Sequence, residues 1–354
     1  MPEANPQRLA KLRDALADKD CDGILISHPE NRRYLSGFTG SDGYLLISNT
    51  TALLATDFRY FEQVKREASH FTLFPLKEYG PKWLPDAASQ LGLRRIGFEP
   101  THLSFSTYRQ FVGTISEGRA SIELVPQAGL MEALRAVKDA EEVSLISRAA
   151  ELAHQALRHL SDVLCPGMSE KTAAWQVESF LRENGSEAVP FEIIVTSGPN
   201  SALPHARPSD RVVSAGEPIV VDLGARMSGY CSDVTRTICL GEAGATYRRV
   251  YDVVYGAQRA AIELMRAGMT GGQADALGRT IIAESGYADY FGHGLGHGVG
   301  LAVHEAPRLG ILSEDVLGEG MVFTVEPGVY LPDWGGVRIE DMVVMESGGA
   351  RVLS

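Results

Sequence analysis

Gly216-Glu217-Pro218-Ile219-Val220-Val221-Asp222-Leu223-Gly224 is matched further along the chain by Gly320-Met321-Val322-Phe323-Thr324-Val325-Glu326-Pro327-Gly328. Each stretch is a β-rich run between glycines, with one carboxylate inside apolar neighbours. The surroundings repeat as well. Gly167-Met168-Ser169 returns as Gly268-Met269-Thr270, and Asn184-Gly185 returns as Ser285-Gly286. Ala202-Leu203-Pro204-His205 corresponds to Leu301-Ala302-Val303-His304. Each acidic run is followed by a second acid on a β-like segment, Asp233 in the first copy and Glu340 in the second. A spacing of roughly a hundred residues is too long for a solenoid repeat and indicates duplication. The order helix, helix, histidine loop and acidic hairpin, given twice, predicts a pseudo-twofold α/β domain. Hairpins from both halves are expected to share one curved antiparallel sheet.

A single carboxylate inside an apolar run costs on the order of several kcal/mol unless it is paired or metal-bound. Four of them converging in one pocket repel one another and call for cations between them. Hard oxygen donors with one imidazole suit manganese, cobalt, iron or zinc better than calcium. The imidazole comes from Gly292-His293-Gly294-Leu295-Gly296-His297-Gly298-Val299-Gly300. No frame of it fits G-x-G-x-x-G, so its glycines are read as letting a histidine-bearing backbone approach a site closely. His304-Glu305-Ala306-Pro307-Arg308 fails as a zinc H-E-x-x-H helix, because position 308 is Arg and Pro307 interrupts the helix.

Outward from this core, the first part of the chain alternates short apolar runs with helical stretches. Strands are expected at 23–27, 44–48, 52–56, 95–99 and 122–125, with a hairpin at Asn49-Thr50. Helices are expected near 58–67, 82–91 and 104–116, which gives an α/β layer domain. Asn5 reads as an N-cap, followed by Pro6 and the spacing Leu9, Leu12, Leu16 of a surface helix rather than a targeting segment. Pro126-Gln127-Ala128-Gly129 punctuates the chain and places the boundary between domains 1–126 and 127–354.

Composition limits the partners. The chain has 354 residues, 44% hydrophobic and 22% charged, with a net charge of −12. That length favours two domains, and the acidic balance argues against a nucleic-acid partner. No apolar run reaches the length of a membrane span. The four cysteines, Cys21, Cys165, Cys231 and Cys239, form no C-x-x-C pair, which fits a reducing, cytoplasmic location.

Val221-Asp222-Leu223-Gly224, Ser232-Asp233-Val234-Thr235-Arg236, Gly296-His297-Gly298-Val299-Gly300, Val325-Glu326-Pro327-Gly328 and Arg338-Ile339-Glu340-Asp341 resemble the signature of the pita-bread metallopeptidases. That group contains methionine aminopeptidase, aminopeptidase P, prolidase and creatinase. Arg33-Tyr34-Leu35-Ser36-Gly37-Phe38-Thr39-Gly40 and Thr56-Asp57-Phe58-Arg59-Tyr60 resemble the N-terminal domain of aminopeptidase P and prolidase, which methionine aminopeptidases lack. The resemblance implies a smaller creatinase-like α/β domain followed by a catalytic pita-bread α+β domain. It implies Asp222, Asp233, His297, Glu326 and Glu340 as ligands of two divalent ions, with Asp233 and Glu340 bridging. Manganese is expected, with cobalt or zinc as alternatives. It implies Glu326 as proton carrier, His205 and His304 on the substrate side, and Arg338 and Thr235 supporting the ligands. The implied activity is removal of an N-terminal residue from peptides with proline second, by a homodimer. A prolidase restricted to dipeptides and a non-catalytic peptide-binding relative are the alternatives. Arg59 and Tyr60 are read either as reaching a neighbouring subunit's site or as an internal salt bridge. His293 is read as structural or substrate-touching, and Cys231 as a small buried hydrophobe rather than a soft ligand. The chain also runs only a short way past Glu340, without the further strand and tail usual in that family.

Overall fold

The computed structural model describes residues 6–78, 80–117 and 121–353. Asn5, expected as an N-cap, lies outside them. The chain divides into two compact units, one through Arg135 and one from Ala136 onward. The first therefore takes in most of a helix, Leu130–Ala136, that follows the punctuation at 126–129.

The first unit is built on a six-stranded sheet in the order Thr72–Pro75, Ala52–Thr56, Tyr44–Ser48, Gly23–Ile26, Arg95–Phe98, Glu123–Pro126. The hairpin at Asn49-Thr50 is present: Ser48 N–H donates to Thr51 O at 2.8 Å, and strands 44–48 and 52–56 pair antiparallel. Besides the helix Leu130–Ala136, two elements have no counterpart among the sequence expectations. The strand Thr72–Pro75 is partly exposed, so it lacks the apolar run that marks a central strand. The helix Pro29–Ser36 is short and ends on Gly37 at φ 75°, a left-handed cap that glycine supplies without strain. Arg59, one of the open assignments, forms ion pairs with Asp57 at 2.7 Å and Asp42 at 3.4 Å inside this unit.

The second unit carries the duplication. Helices Ala140–Val163 and Glu170–Glu183 belong to the first half, and Ala245–Leu264 and Gly271–Ile282 to the second. Their second helices start alike: the Ser169 hydroxyl accepts from Thr172 N–H, and Thr270 does the same with Gln273. Each cap residue also bridges to a matching valine, Ser169 to Val212 and Thr270 to Val316. Each half has its own apolar cluster. Leu152, Leu160, Val177, Val195 and Val221 lie in one, and Val250, Val254, Phe323, Val325 and Val343 in the other.

The expectation of one continuous curved sheet is corrected. The first half forms a three-stranded sheet, Val234–Ile238, Ile219–Leu223, Ile194–Ser197. The second forms a separate five-stranded sheet, Glu305–Leu309, Gly296–Gly298, Val322–Val325, Asp341–Glu346, Gly349–Val352. They are joined by isolated bonds instead of a ladder. Glu340 N–H donates to Thr235 O at 3.0 Å, and Arg338 N–H donates to the Thr237 hydroxyl at 2.9 Å. The cause is local. Asp233 and Glu340 were expected on β-runs, yet each sits in the gap just before a strand, 234–238 and 341–346 respectively. A residue released from ladder pairing can turn its carboxylate into the cleft between the sheets.

Candidate metal centre

Both acidic runs deliver their carboxylates to one place. Asp222 lies within the strand Ile219–Leu223, and Glu326 lies one residue beyond Val322–Val325. His297 sits on the short strand Gly296–Gly298, where the pairing to 305–309 is interrupted by a bulge between His297 and Gly298. The glycines beside it have a steric reason: a Cβ on Gly296 would collide with Thr324 O, and one on Gly298 with Ala306 O. The histidine strand is pressed against backbone on both sides.

Ligand-capable atoms of Asp233, His297 and Glu340 lie within 4.8 Å of one another. His297 Nε2 is 3.3 Å from Glu326 Oε1 and 3.6 Å from Asp233 Oδ2. Its Nδ1 lies 3.1 Å from Gly298 O. A proton on Nδ1 would satisfy that carbonyl and leave the Nε2 lone pair facing the acids.

Arg338, 4% exposed, ties the outer side together. It donates to Asp222 Oδ2 at 2.7 Å, to the Thr235 hydroxyl at 3.1 Å, to the Tyr330 hydroxyl at 2.9 Å and to Pro204 O at 3.3 Å. Thr235 passes the connection on by donating to Glu340 Oε2 at 2.6 Å. His293 Nδ1 lies 2.8 Å from Gly294 O and its Nε2 lies 2.9 Å from the Tyr330 hydroxyl. His293 is thus half structural, bonded at both nitrogens, and also lines the cleft. The cleft holds ≈ 370 Å³ and is bordered further by Phe191, Ile194, His205 and His304. His304 packs against His297 in a tilted arrangement, with ring centroids 4.1 Å apart and planes at 45°.

The electrostatics show what the set is missing. Burial, followed by neighbouring carboxylates, pushes Asp233 and Glu340 well above the usual carboxylate range. Burial also pushes Glu326 up to about 7. Burial, with His304 beside it, pulls His297 down to about 4, so the ring is neutral near pH 7. Burial opposes the charge on Arg338, but Tyr330, then Asp222, Glu326 and Glu340, outweigh it and hold that group well above its ordinary value. One guanidinium does not balance four acids. Asp222 Oδ1 and Glu340 Oε1 are buried without a hydrogen-bond partner. Unpartnered acceptors beside a neutral imidazole lone pair fit divalent cations, and the residues present match that group.

The comparisons with known proteins come to the same point. The sequence pattern of "Metallopeptidase family M24" matches residues 144–347. The chain belongs to metallopeptidase family M24. The pattern of the creatinase/prolidase N-terminal domain matches residues 8–137 of this M24 enzyme. An Xaa-Pro dipeptidase of Pyrococcus furiosus is 37% identical over 98% of this chain and 97% of its own length. Among solved structures, an Xaa-Pro dipeptidase from Bacillus anthracis superposes with a TM-score of 0.94 at 39% identity, covering 98% of this chain and 97% of that one. An X-Pro aminopeptidase from Thermotoga maritima gives 0.88 at 37%, covering 96% and 97%. The fold is the pita-bread arrangement behind a creatinase-type N-terminal domain, and M24 peptidases use divalent metal ions.

The structure brings together Asp222, Asp233, His297, Glu326, Glu340, Arg338, Thr235, His205 and His304 around one cleft. Cys231 is buried outside the metal-capable group. Two residues at this site escaped the sequence reading. Tyr330 lies in the apolar run Gly328–Leu331 and looks like core. Arg308 is directly opposite His297 in the strand register. That pairing is a matter of strand register, which has no sequence signature here. No helix among the described residues is long and apolar enough to cross a membrane.

Proposed function

We propose that this M24 peptidase hydrolyses the bond preceding proline in Xaa-Pro substrates, and that dipeptides are its preferred substrates. The observation that carries the proposal is the convergence of four carboxylates and one imidazole beneath two exposed histidines, His205 and His304, in a cleft open to a short peptide. The named activities of the similar proteins supply the proline specificity. The preference for dipeptides is supported by Arg308, an exposed cation that pairs with His297 across the strand register. A positive group at that position suits the free carboxylate of a dipeptide, which a longer peptide does not place there. The wider reading, an aminopeptidase acting on peptides of varied length, is favoured by the Thermotoga maritima relative.

Asp222, Asp233, His297, Glu326 and Glu340 would hold two divalent ions, for which we propose manganese, with cobalt or zinc as alternatives. Such ions supply Lewis-acid polarisation of the scissile carbonyl and activation of water. Arg338 keeps Asp222 oriented, and through Thr235 it keeps Glu340 oriented. Glu326 carries the proton. The proline nitrogen has no hydrogen in the substrate and must gain one as the bond breaks. His304 donates to the substrate carbonyl, and His205 holds the leaving side. Phe191 and Ile194 provide apolar wall, against which a pyrrolidine ring can exclude water. We further propose a cytoplasmic homodimer, on the family resemblance and the lack of any C-x-x-C pair in the sequence; sedimentation would read the dimer directly.

The test is hydrolysis of Ala-Pro and Ala-Pro-Ala by chelator-stripped protein, with manganese, cobalt or zinc restored one at a time. Cleavage of the dipeptide alone is expected. Equal cleavage of both would make it an aminopeptidase. Cleavage of neither by folded, metal-loaded protein would overturn the peptidase reading of the cleft.

A further inference from the structure

Beneath His304 lies an ion pair that the chemistry above does not use. Lys138 Nζ is 2.9 Å from Glu305 Oε1, and the two side chains are 1% and 8% exposed. The ammonium also donates to Ala136 O at 3.2 Å, and the Lys138 backbone N–H donates to Gly320 O at 2.9 Å. The lysine is therefore fixed at both ends. Glu305 follows His304 directly and opens the strand Glu305–Leu309. Its carboxylate is tucked inside the turn that presents the histidine. A Cβ on Gly300 would collide with Glu305 Oε1 and Cδ, so the last glycine of Gly296-His297-Gly298-Val299-Gly300 makes room for this side chain. The turn is closed by Gly300 N–H donating to Ala302 O at 3.0 Å, and it is held from outside by Cys231 N–H donating to Gly300 O at 2.7 Å.

His304 itself is exposed, and among the described residues its ring makes no hydrogen bond. Its one ring contact among them is the tilted packing against His297. Where the ring points is therefore decided by the backbone of the turn, and the charged group inside that turn is Glu305. The corresponding turn in the first half is held on the same logic by different chemistry. Glu170, 0% exposed, accepts from Ser197 N–H at 2.7 Å, Asn200 Nδ2 at 3.2 Å and Ser209 N–H at 3.0 Å, residues that bracket His205. Each exposed histidine stands on a loop pinned by one buried carboxylate.

A buried ion pair is a poor source of stability, since replacing both partners by neutral groups of similar shape is often neutral or stabilising. An advantage in geometry is the better explanation for keeping charge at this place. We propose that Lys138 is a positioning residue: through its ion pair with Glu305 it fixes the 300–304 turn and so holds the His304 ring over His297 at the mouth of the cleft. The proposal rests on the reading of His304 as substrate-facing.

The experiment uses the full chain supplied with zinc, so that the spectrum is diamagnetic. Lys138→Met, Glu305→Gln and the double variant are compared for Tm, for the His304 ring ¹H–¹³C resonance (assigned by its loss in His304→Gln), and for kcat and KM on Ala-Pro. Lys138→Met alone is expected to lower Tm, because it removes the ammonium that balances the charge of a buried carboxylate. The double variant is expected to regain most of that Tm. It should still show a displaced His304 resonance and a kcat lower by ~10–100-fold, with KM changed by less than about threefold, as a misplaced donor would give. Lys138→Arg keeps the charge and should leave the resonance near its native position. Gly300→Ala, which presses on the Glu305 carboxylate without removing it, should move the resonance in the double variant's direction and serves if that variant does not fold. A double variant or Gly300→Ala with native resonance and native kcat overturns the proposal, as does a Lys138→Arg protein indistinguishable from Lys138→Met. If the native protein cleaves no Xaa-Pro peptide, the functional reading fails, while the resonance still decides whether Lys138 positions the ring.

Discussion

The two halves of the M24 unit share their helices, caps and acidic runs, yet contribute unequally to the centre. The first half gives Asp222 and Asp233 from a three-stranded sheet; the second gives Glu326, Glu340 and the imidazole from a five-stranded one. The difference lies on the strand before each histidine loop: Ile194–Ser197 and Gly296–Gly298 both pair with the acidic strand of their half, but only the second carries a histidine, His297, and only the second half adds Glu305–Leu309 beyond its loop. Duplication provides a symmetric cage of acids. A histidine on one copy of that strand, beside a bulge, turns the cage into a directional site, with a neutral nitrogen donor on one side only. Symmetry builds the container and its breaking gives the chemistry a direction.

The comparison is tested most severely at the ligands. Removing an acid from either half, as in Asp222→Ala or Glu326→Ala, is expected to lower kcat/KM by at least ~10²–10³-fold, because each half's charge is needed. Thr235→Val, a first-half residue acting on second-half Glu340, should lose metal affinity by about 10–100-fold; competition with a chromogenic chelator measures it. A large loss for one acid and none for its counterpart would mean that one half carries the centre alone.

A second test concerns pH. Burial raises Asp233, Glu326 and Glu340, so without metal their contribution to stability is present at low pH and lost as pH rises through their folded values. Burial lowers His293 and His297 to about 4, which works the other way, but only below an ordinary histidine value of about 6.5. Above that pH the acids act alone. The Tm of chelated protein should therefore fall between about pH 6.5 and 8, and metal should remove the slope. A flat chelated profile would show that the acids are not forced together.

The smallest effect sharpens the symmetric side. Ser169→Ala and Thr270→Ala each remove a cap at the same point of the repeat and should each cost about 1 kcal/mol in denaturant unfolding. The two losses should add within about 0.5 kcal/mol, since the sites are far apart in the fold's two cores.

Much of the centre was legible in the sequence because its signals are local. A carboxylate inside Ile219–Leu223 or after Val322–Val325, and glycines packed around a histidine, are conspicuous without any partner in view. The hairpin at Asn49-Thr50 was legible for the same reason. What could not be read depends on register and on gaps. Ser232-Asp233 and Ile339-Glu340 leave the ladder for only two positions each, so their runs look continuous while the sheets are separate. Arg308 stands opposite His297 only through strand register, Tyr330 is hidden in a core-like run, and Lys138 reaches Glu305 across more than half of the second unit. Contacts of that kind are properties of packing, and pattern in one stretch of chain carries no trace of them.

The hydrogen bond from Thr235 to Glu340 spans 105 positions of the chain, and this has a consequence in time. At a synthesis rate of roughly 5–20 residues per second, the first half's acids leave the ribosome on the order of ten seconds before their partner. His297 and Glu326 emerge within that interval and Glu340 last, so the first half's two acids stand alone for only part of it. The full mixed-donor set exists only after the second half has folded onto the first. On the proposed ligand set, ion choice would then be made at the end of folding, when the cage first closes.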